Sequence, residues 1–220
     1  MDGYVKWPAA AALACVTALG LLALLVYAAD SFQHLDLQAL TRISAHHHSW
    51  SGEGAEAISR LGDPAPLLML LAAACAVAFL RGRPSDALAA AVVVAGANIT
   101  TQALKLALSH PRTQALLGGS GGAEIGFPSG HTTSAFSIAI ALAFVVPRRL
   151  VPVALTIGAG FGAAVGFSVV VISWHYPSDV IGGILVAAGW GFAVLASTRA
   201  VEPRERSGAG LSAPGPLPSR

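Results

Sequence analysis

His175 and Asp179 stand four residues apart in the run Trp174-His175-Tyr176-Pro177-Ser178-Asp179. On one face of a helix start, that spacing brings a carboxylate within reach of an imidazole. A carboxylate on one ring nitrogen fixes the tautomer and makes the other nitrogen a better nucleophile or base. The plainer alternative is that Asp179 only favours the helix start while His175 packs at an interface. A second histidine, His131, follows Pro128-Ser129-Gly130 at the head of an apolar run. Ser129 and Gly130 there offer free backbone N–H groups, a hydroxyl and the positive end of a helix dipole, the ingredients of a phosphate cradle. The same three residues also make an ordinary turn and N-cap. Lys105 lies at the end of an otherwise apolar stretch, and Arg112 follows it in Ser109-His110-Pro111-Arg112. A lysine at membrane depth marks a function by default, although one so near a helix end can also snorkel to the surface.

Two imidazoles, one carboxylate, one ammonium and one guanidinium make a cationic cup, and its natural guest is a phosphate ester. No Cys, His or carboxylate cluster with metal-ligand spacing accompanies it, so neither a metal nor another cofactor is expected. His46-His47-His48 is the other dense histidine group. It is read as facing solvent, because consecutive residues rarely all turn toward one ion.

These residues must be positioned by apolar elements. Of 220 residues, 55% are hydrophobic and 11% charged, where a soluble domain carries roughly a quarter charged. Six runs approach the length needed to cross a bilayer core, about 17–25 residues. They are Trp7 to Ala29, Ala65 to Leu80, Ala87 to Leu108, His131 to Val146, Val151 to about Ser173, and Val180 to Ser197. Gly158, Gly160, Gly162 and Gly166 would weaken a soluble helix but let helices approach closely in lipid. The expected fold is all-α, a polytopic bundle of six transmembrane helices in one domain, residues 1–199. Residues 30–64 form an outer surface segment whose apolar positions suit short interfacial helices. Residues 200–220 are too polar to bury a core and are expected to be a disordered tail.

Lysine and arginine set the orientation. With the N-terminus inside, the inner segments hold Lys6, Arg81, Arg83, Arg148, Arg149, Arg199, Arg204, Arg206 and Arg220, against Arg42, Arg60, Lys105 and Arg112 outside. Nine against four favours an N-in, C-in topology in the plasma membrane, with the chemically equipped helix ends on the extracytoplasmic side. The first run has 22 residues between Trp7 and Asp30, longer than the roughly 7–15 of a signal-peptide core, so it is expected to be retained as a membrane helix. Cys15 and Cys75 both lie in apolar runs and read as small packing residues. The net charge of +2 and the absence of a basic stripe interleaved with aromatics set nucleic acid aside as a partner.

The ordered motifs resemble those of the type-2 phosphatidic acid phosphatase (lipid phosphate phosphatase) superfamily, in a bacterial integral-membrane form. Its members carry Lys-x6-Arg-Pro, Pro-Ser-Gly-His and Ser-Arg-x5-His-x3-Asp. Here these read Lys105-x6-Arg112, Pro128-Ser129-Gly130-His131 and Ser168-x6-His175-x3-Asp179, and Ser59-Arg60-Leu61-Gly62-Asp63 also looks familiar. The resemblance implies metal-independent, two-step hydrolysis of a membrane lipid phosphate or pyrophosphate. His175 would be the nucleophile, Asp179 its orienter and His131 the proton donor to the leaving oxygen. Lys105, Arg112, Ser129 and Gly130 would hold the phosphoryl oxygens. Polyprenyl pyrophosphate, phosphatidic acid and phosphatidylglycerol phosphate are the substrate classes so implied, with the lipid substrate and the bilayer as partners. Two departures stand out: Thr113 replaces the first motif's proline, and Val169 replaces the third motif's arginine. The valine supplies no charge, which keeps two alternatives open. One is a phosphotransferase to a lipid or sugar hydroxyl, and the other is a catalytically weak lipid-phosphate-binding protein.

Overall fold

A computed structural model describes residues 2–44, 50–108 and 126–211. Its elements are helices α1 (Asp2–Ala28), α2 (Asp30–Ser44), α3 (Trp50–Arg60), α4 (Pro64–Leu80), α5 (Pro84–Ala107), α6 (Gly130–Val145), α7 (Val151–Val171) and α8 (Pro177–Leu211), with a 3-10 turn at Arg148–Leu150. Prolines open several of them. Pro64, Pro84, Pro152 and Pro177 all lie in first turns, where no backbone N–H is required of them.

Each of the six apolar runs is a helix. Among the described residues, four segments are long and apolar enough to span a membrane: Lys6–Ala28, Pro84–Ala107, Arg148–Val171 and Pro177–Ala200. A fifth arises if Glu53–Arg60 and Pro64–Leu80, bent by 44°, are taken as one span, and Gly130–Val145 is a shorter apolar helix. The chain is therefore an all-helical integral membrane protein. Leu13, Val16 and Leu24 of α1, Met69 and Leu80 of α4, and Ile157 and Phe167 of α7 are more than half exposed, an outward apolar surface that lipid would cover. The last helix runs to Leu211 rather than ending near residue 199 as the composition suggested. Polarity ends the apolar span, but Glu and Arg are good helix formers and continue the hydrogen-bond ladder. Residues 212–220 lie outside the described part.

The short helix α6 is the hub, packed against α4, α5, α7 and α8. Its alanines, serines and threonines admit close neighbours, and Ile138, Ala141 and Val145 join Leu67, Ala74, Ala78, Ala90 and Val94 in the main apolar cluster. Side-chain hydrogen bonds tie it laterally: Thr101 to Thr133 at 3.0 Å and Ser134 to Asn98 at 2.6 Å. Thr100 similarly accepts the Trp190 indole N–H at 3.0 Å. Polar residues of α5 thus join helices to one another.

The glycines of α7 act as the sequence suggested, with one exception. A Cβ on Gly158 would collide with Ala139, one on Gly162 would stand 2.7 Å from Phe136, and one on Gly166 would stand 2.8 Å from Val180. Gly160 faces open space. Gly158→Leu is therefore expected to lower stability by about 1–3 kcal/mol through overpacking. Gly160→Ala should leave it unchanged or raise it by up to about 1 kcal/mol. Thermal unfolding of both variants in detergent checks the contrast.

Candidate active site

The turn joining α7 to α8 delivers the first histidine. The Val169 carbonyl accepts the N–H groups of both Trp174, at 2.9 Å, and His175, at 3.1 Å. Ser173 takes φ +59° to reverse the chain, a conformation uncommon outside glycine. His175 then sits just ahead of α8, 5% exposed, with Asp179 in the first turn, 1% exposed. The Asp179 Oδ2 accepts the Tyr176 N–H at 3.0 Å and faces His175 Nδ1 at 3.3 Å. One carboxylate therefore fills both of the roles that the spacing left open. It caps the helix start and holds the imidazole, leaving Nε2 as the ring nitrogen turned away from it.

The Pro128-Ser129-Gly130 turn is bound to the same spot. The Ser129 N–H donates to the Asp179 carbonyl at 2.9 Å, and a Cβ on Gly183 would approach the Ser129 carbonyl oxygen to 2.8 Å. The Ser129 side chain is fully buried and caps α6, accepting the Thr132 N–H at 3.4 Å and its hydroxyl at 3.1 Å. Lys105 reaches over from the end of α5. A Cβ on Gly126 would lie 3.3 Å from Lys105 Cγ, and one on Gly130 would lie 3.7 Å from Lys105 Nζ. The ammonium thus stands beside the N-terminus of α6, adding a full charge to the dipole there.

His131, in the first turn of α6, has company that its motif does not contain. Its Nε2 faces Asp63 Oδ1 at 3.2 Å, and its ring lies 5.6 Å from that of Trp174, centroid to centroid, tilted by 50°. Asp63 stands in the bend between α3 and α4. The bend fits because Gly62 has no side chain: a Cβ there would meet Val165 at 2.8 Å and His131 Cβ at 3.4 Å. A second unforeseen carboxylate, Asp36 of α2, is buried and accepts both the N–H, at 3.1 Å, and the hydroxyl of Ser178. Around it, Leu40 packs with Val170 and Tyr176, while Ala55 of α3 packs with Val171 and Ile172. Helices α2 and α3 thus fold over the end of α7 and the start of α8.

Six of the residues singled out from sequence, Lys105, Ser129, Gly130, His131, His175 and Asp179, lie together at one end of the bundle. Arg112, Thr113 and His46-His47-His48 fall outside the described residues. Val169 is fully buried. Asp63 and Asp36 were missed, since each joins its partner across 68 and 142 residues of chain. The one available signal was the Ser59–Asp63 run, whose Gly-Asp pair marks a tight bend before an apolar helix.

Residues 86–202 match the model of the PAP2 superfamily, more than half of the chain. A 70-residue stretch is 43% identical to undecaprenyl-diphosphatase BcrC of Bacillus subtilis (strain 168), covering 32% of this chain and 34% of that protein. The match therefore spans about a third of that relative's length. Among solved structures, the fold is similar to that of the first transmembrane PAP2 type phosphatidylglycerolphosphate phosphatase from Bacillus subtilis. The TM-score is 0.72 at 21% identity, over 88% of this chain and 96% of the other, a likeness of fold. Asp36 and Asp63 both precede the matched segment.

Removing the buried Asp36 carboxylate strands the Ser178 N–H and hydroxyl. Asp36→Ala should lower stability by about 1–3 kcal/mol, and Asp36→Asn, which keeps one acceptor oxygen, by less. Thermal unfolding of the two variants in detergent gives the order.

Proposed function

From a chain that belongs to the PAP2 superfamily, we propose a membrane phosphatase that removes phosphate from lipid phosphates or pyrophosphates through a phosphohistidine, without metal. The observation that carries this reading is the pair of imidazoles at one end of the bundle, each facing a carboxylate, with Lys105 beside the N-terminus of α6. Phosphoryl transfer asks a protein mainly for positioning and charge stabilisation, and this site is built to supply both.

In the first step His175 Nε2 attacks phosphorus, forming an N–P bond as the P–O bond to the lipid-bearing group breaks. The departing oxygen takes a proton from His131. In the second step water attacks phosphorus, His131 takes up a proton from that water, and the N–P bond breaks to free inorganic phosphate and His175. Asp179 holds the His175 ring and compensates its positive charge in the intermediate. Lys105, the Gly130 N–H and the dipole of α6 hold the phosphoryl oxygens, and Arg112 joins them by its place in the first motif. The Ser129 hydroxyl is occupied as a cap, so its contribution is to shape the turn. We assign Asp63 as the positioning residue of His131, orienting the ring and compensating its charge when it carries the proton.

The bundle is read as six crossings in the plasma membrane, N-in and C-in, from the nine-to-four distribution of Lys and Arg. The site then faces the extracytoplasmic side, where a headgroup can enter while its tails stay in the bilayer. The 43% identical stretch shared with an undecaprenyl-diphosphatase favours a polyprenyl pyrophosphate over phosphatidic acid or phosphatidylglycerol phosphate. Val169 favours a second reading, a lipid-phosphate binder with little turnover, because it removes a guanidinium from the phosphate grip.

Phosphate release by purified protein in EDTA, across a panel of lipid phosphates and pyrophosphates, tests the proposal. Wild type should turn over and His175→Ala should lose at least about 10³ of the rate; release undiminished in that variant refutes the mechanism, and binding without release supports the second reading. Asp63→Asn should lower kcat about 10-fold, within the general acid–base range, and move the basic limb of the pH–rate profile to lower pH. Asp63→Glu should restore the profile, whereas an unchanged profile in Asp63→Asn would reduce Asp63 to a structural residue.

A further inference from the structure

At the other end of α6 lies a cavity of about 510 Å³, within the roughly 300–1,000 Å³ of ligand sites. Helices α7 and α8 both pack against α6 but scarcely against each other, so a groove opens between them. Ala143 and Phe144 of α6 floor it, and Leu155 of α7 with Phe192 and Leu195 of α8 wall it. Its mouth is the opposite in character: among the described lining residues, Arg83, Arg148 and Arg199 are accompanied by one carboxylate, Asp86. Three guanidinium charges less one carboxylate leave a net +2 there. Two of the arginines are held in place. Arg83 pairs with Asp86 and donates to the Val145 carbonyl at 3.2 Å, which ties it to the end of α6. The Arg199 guanidinium carbon lies 5.0 Å from the centroid of the Trp7 ring, which joins α8 to α1.

We propose that this groove is a binding site for an anionic phospholipid of the leaflet opposite the one that serves the histidines. An acyl chain lies along α6 between α7 and α8, and the headgroup phosphate meets the arginines. The chemistry selects the occupant at both ends. A walled apolar groove accepts a hydrocarbon tail, while planar guanidinium forks match phosphate oxygens geometrically as well as electrostatically. A basic pocket between transmembrane helices is a recognised form of anionic-lipid site. A zwitterionic lipid would bring its own cationic group to a mouth that is already positive. The site is separate from the proposed active site: α6 spans 16 residues, which at about 1.5 Å of rise per residue puts the two near opposite bilayer surfaces. Its effect is to bridge α7 and α8 where they do not touch, so the lipid acts as a structural ligand of the bundle.

The test is lipid retention by the purified full chain in native mass spectrometry, with phosphatidylglycerol and phosphatidylcholine of identical chains. Wild type should retain phosphatidylglycerol about tenfold better, and Arg148→Ala/Arg199→Ala should bring the two lipids level, as expected for losing charge-assisted contacts. Ala143→Phe, which fills the floor and leaves every arginine in place, should also expel the lipid. Monodisperse elution of both variants shows that they fold. His131→Ala/His175→Ala should keep the preference. Equal retention of the two lipids by wild type, or a preference surviving in the double arginine variant, overturns the proposal. So does a preference lost in the double histidine variant, which assigns the lipid to the catalytic end. Displacement of the lipid by glycerol 3-phosphate at equal concentration also overturns it, because the arginines then bind phosphate alone.

Discussion

The hydrogen bond from the Ser129 N–H to the Asp179 carbonyl, 2.9 Å long, holds the site together. It joins the N-termini of α6 and α8, so the two histidines that follow Gly130 and precede Pro177 are fixed relative to one another. The same contact explains Gly183, where any side chain would press on the Ser129 carbonyl. It also explains the buried Ser129 hydroxyl, which caps α6 instead of pointing outward. Around this junction the helix ends have little freedom: Trp174 packs on the His131 ring, and Asp36 clamps Ser178 from α2. Preorganisation of this kind lets charge stabilisation act without reorganisation at the moment of reaction.

Charge is arranged with the same economy. Each imidazole faces a carboxylate, Asp179 for His175 and Asp63 for His131, and Lys105 stands beside the α6 terminus. Helix α2 and the bend before α4 therefore supply carboxylates to the candidate site, and they lie outside the region matched by the family model. Val169 fits this picture. Its side chain is fully buried, and its carbonyl anchors the turn that carries His175. The position thus contributes through its backbone, and on the proposed reading the phosphate would be held by Lys105 and the α6 terminus.

Much of this was legible in the residues alone. Long apolar runs read directly as helices, because in lipid each helix must satisfy its own backbone. Local spacing placed Asp179 on His175, and the motif order placed His131 beside them. What escaped was non-local. Asp63 and Asp36 look like ordinary loop and helix-start carboxylates until a tertiary fold brings His131 and Ser178 to them. Asn98, Thr100 and Thr101 likewise bond to side chains on neighbouring helices, contacts that the local sequence does not reveal. The length of α8 escaped because polarity ends an apolar run without ending a helix.

The most direct measurement of the central claim is a rapid-quench trap of the covalent intermediate, with a substrate whose terminal phosphate is labelled. A transfer through His175 predicts an acid-labile, alkali-stable label on the peptide that contains His175, formed and lost within single turnovers and absent from His175→Ala. Phosphate release with no labelled enzyme at any time, or a label on another residue, would contradict the account.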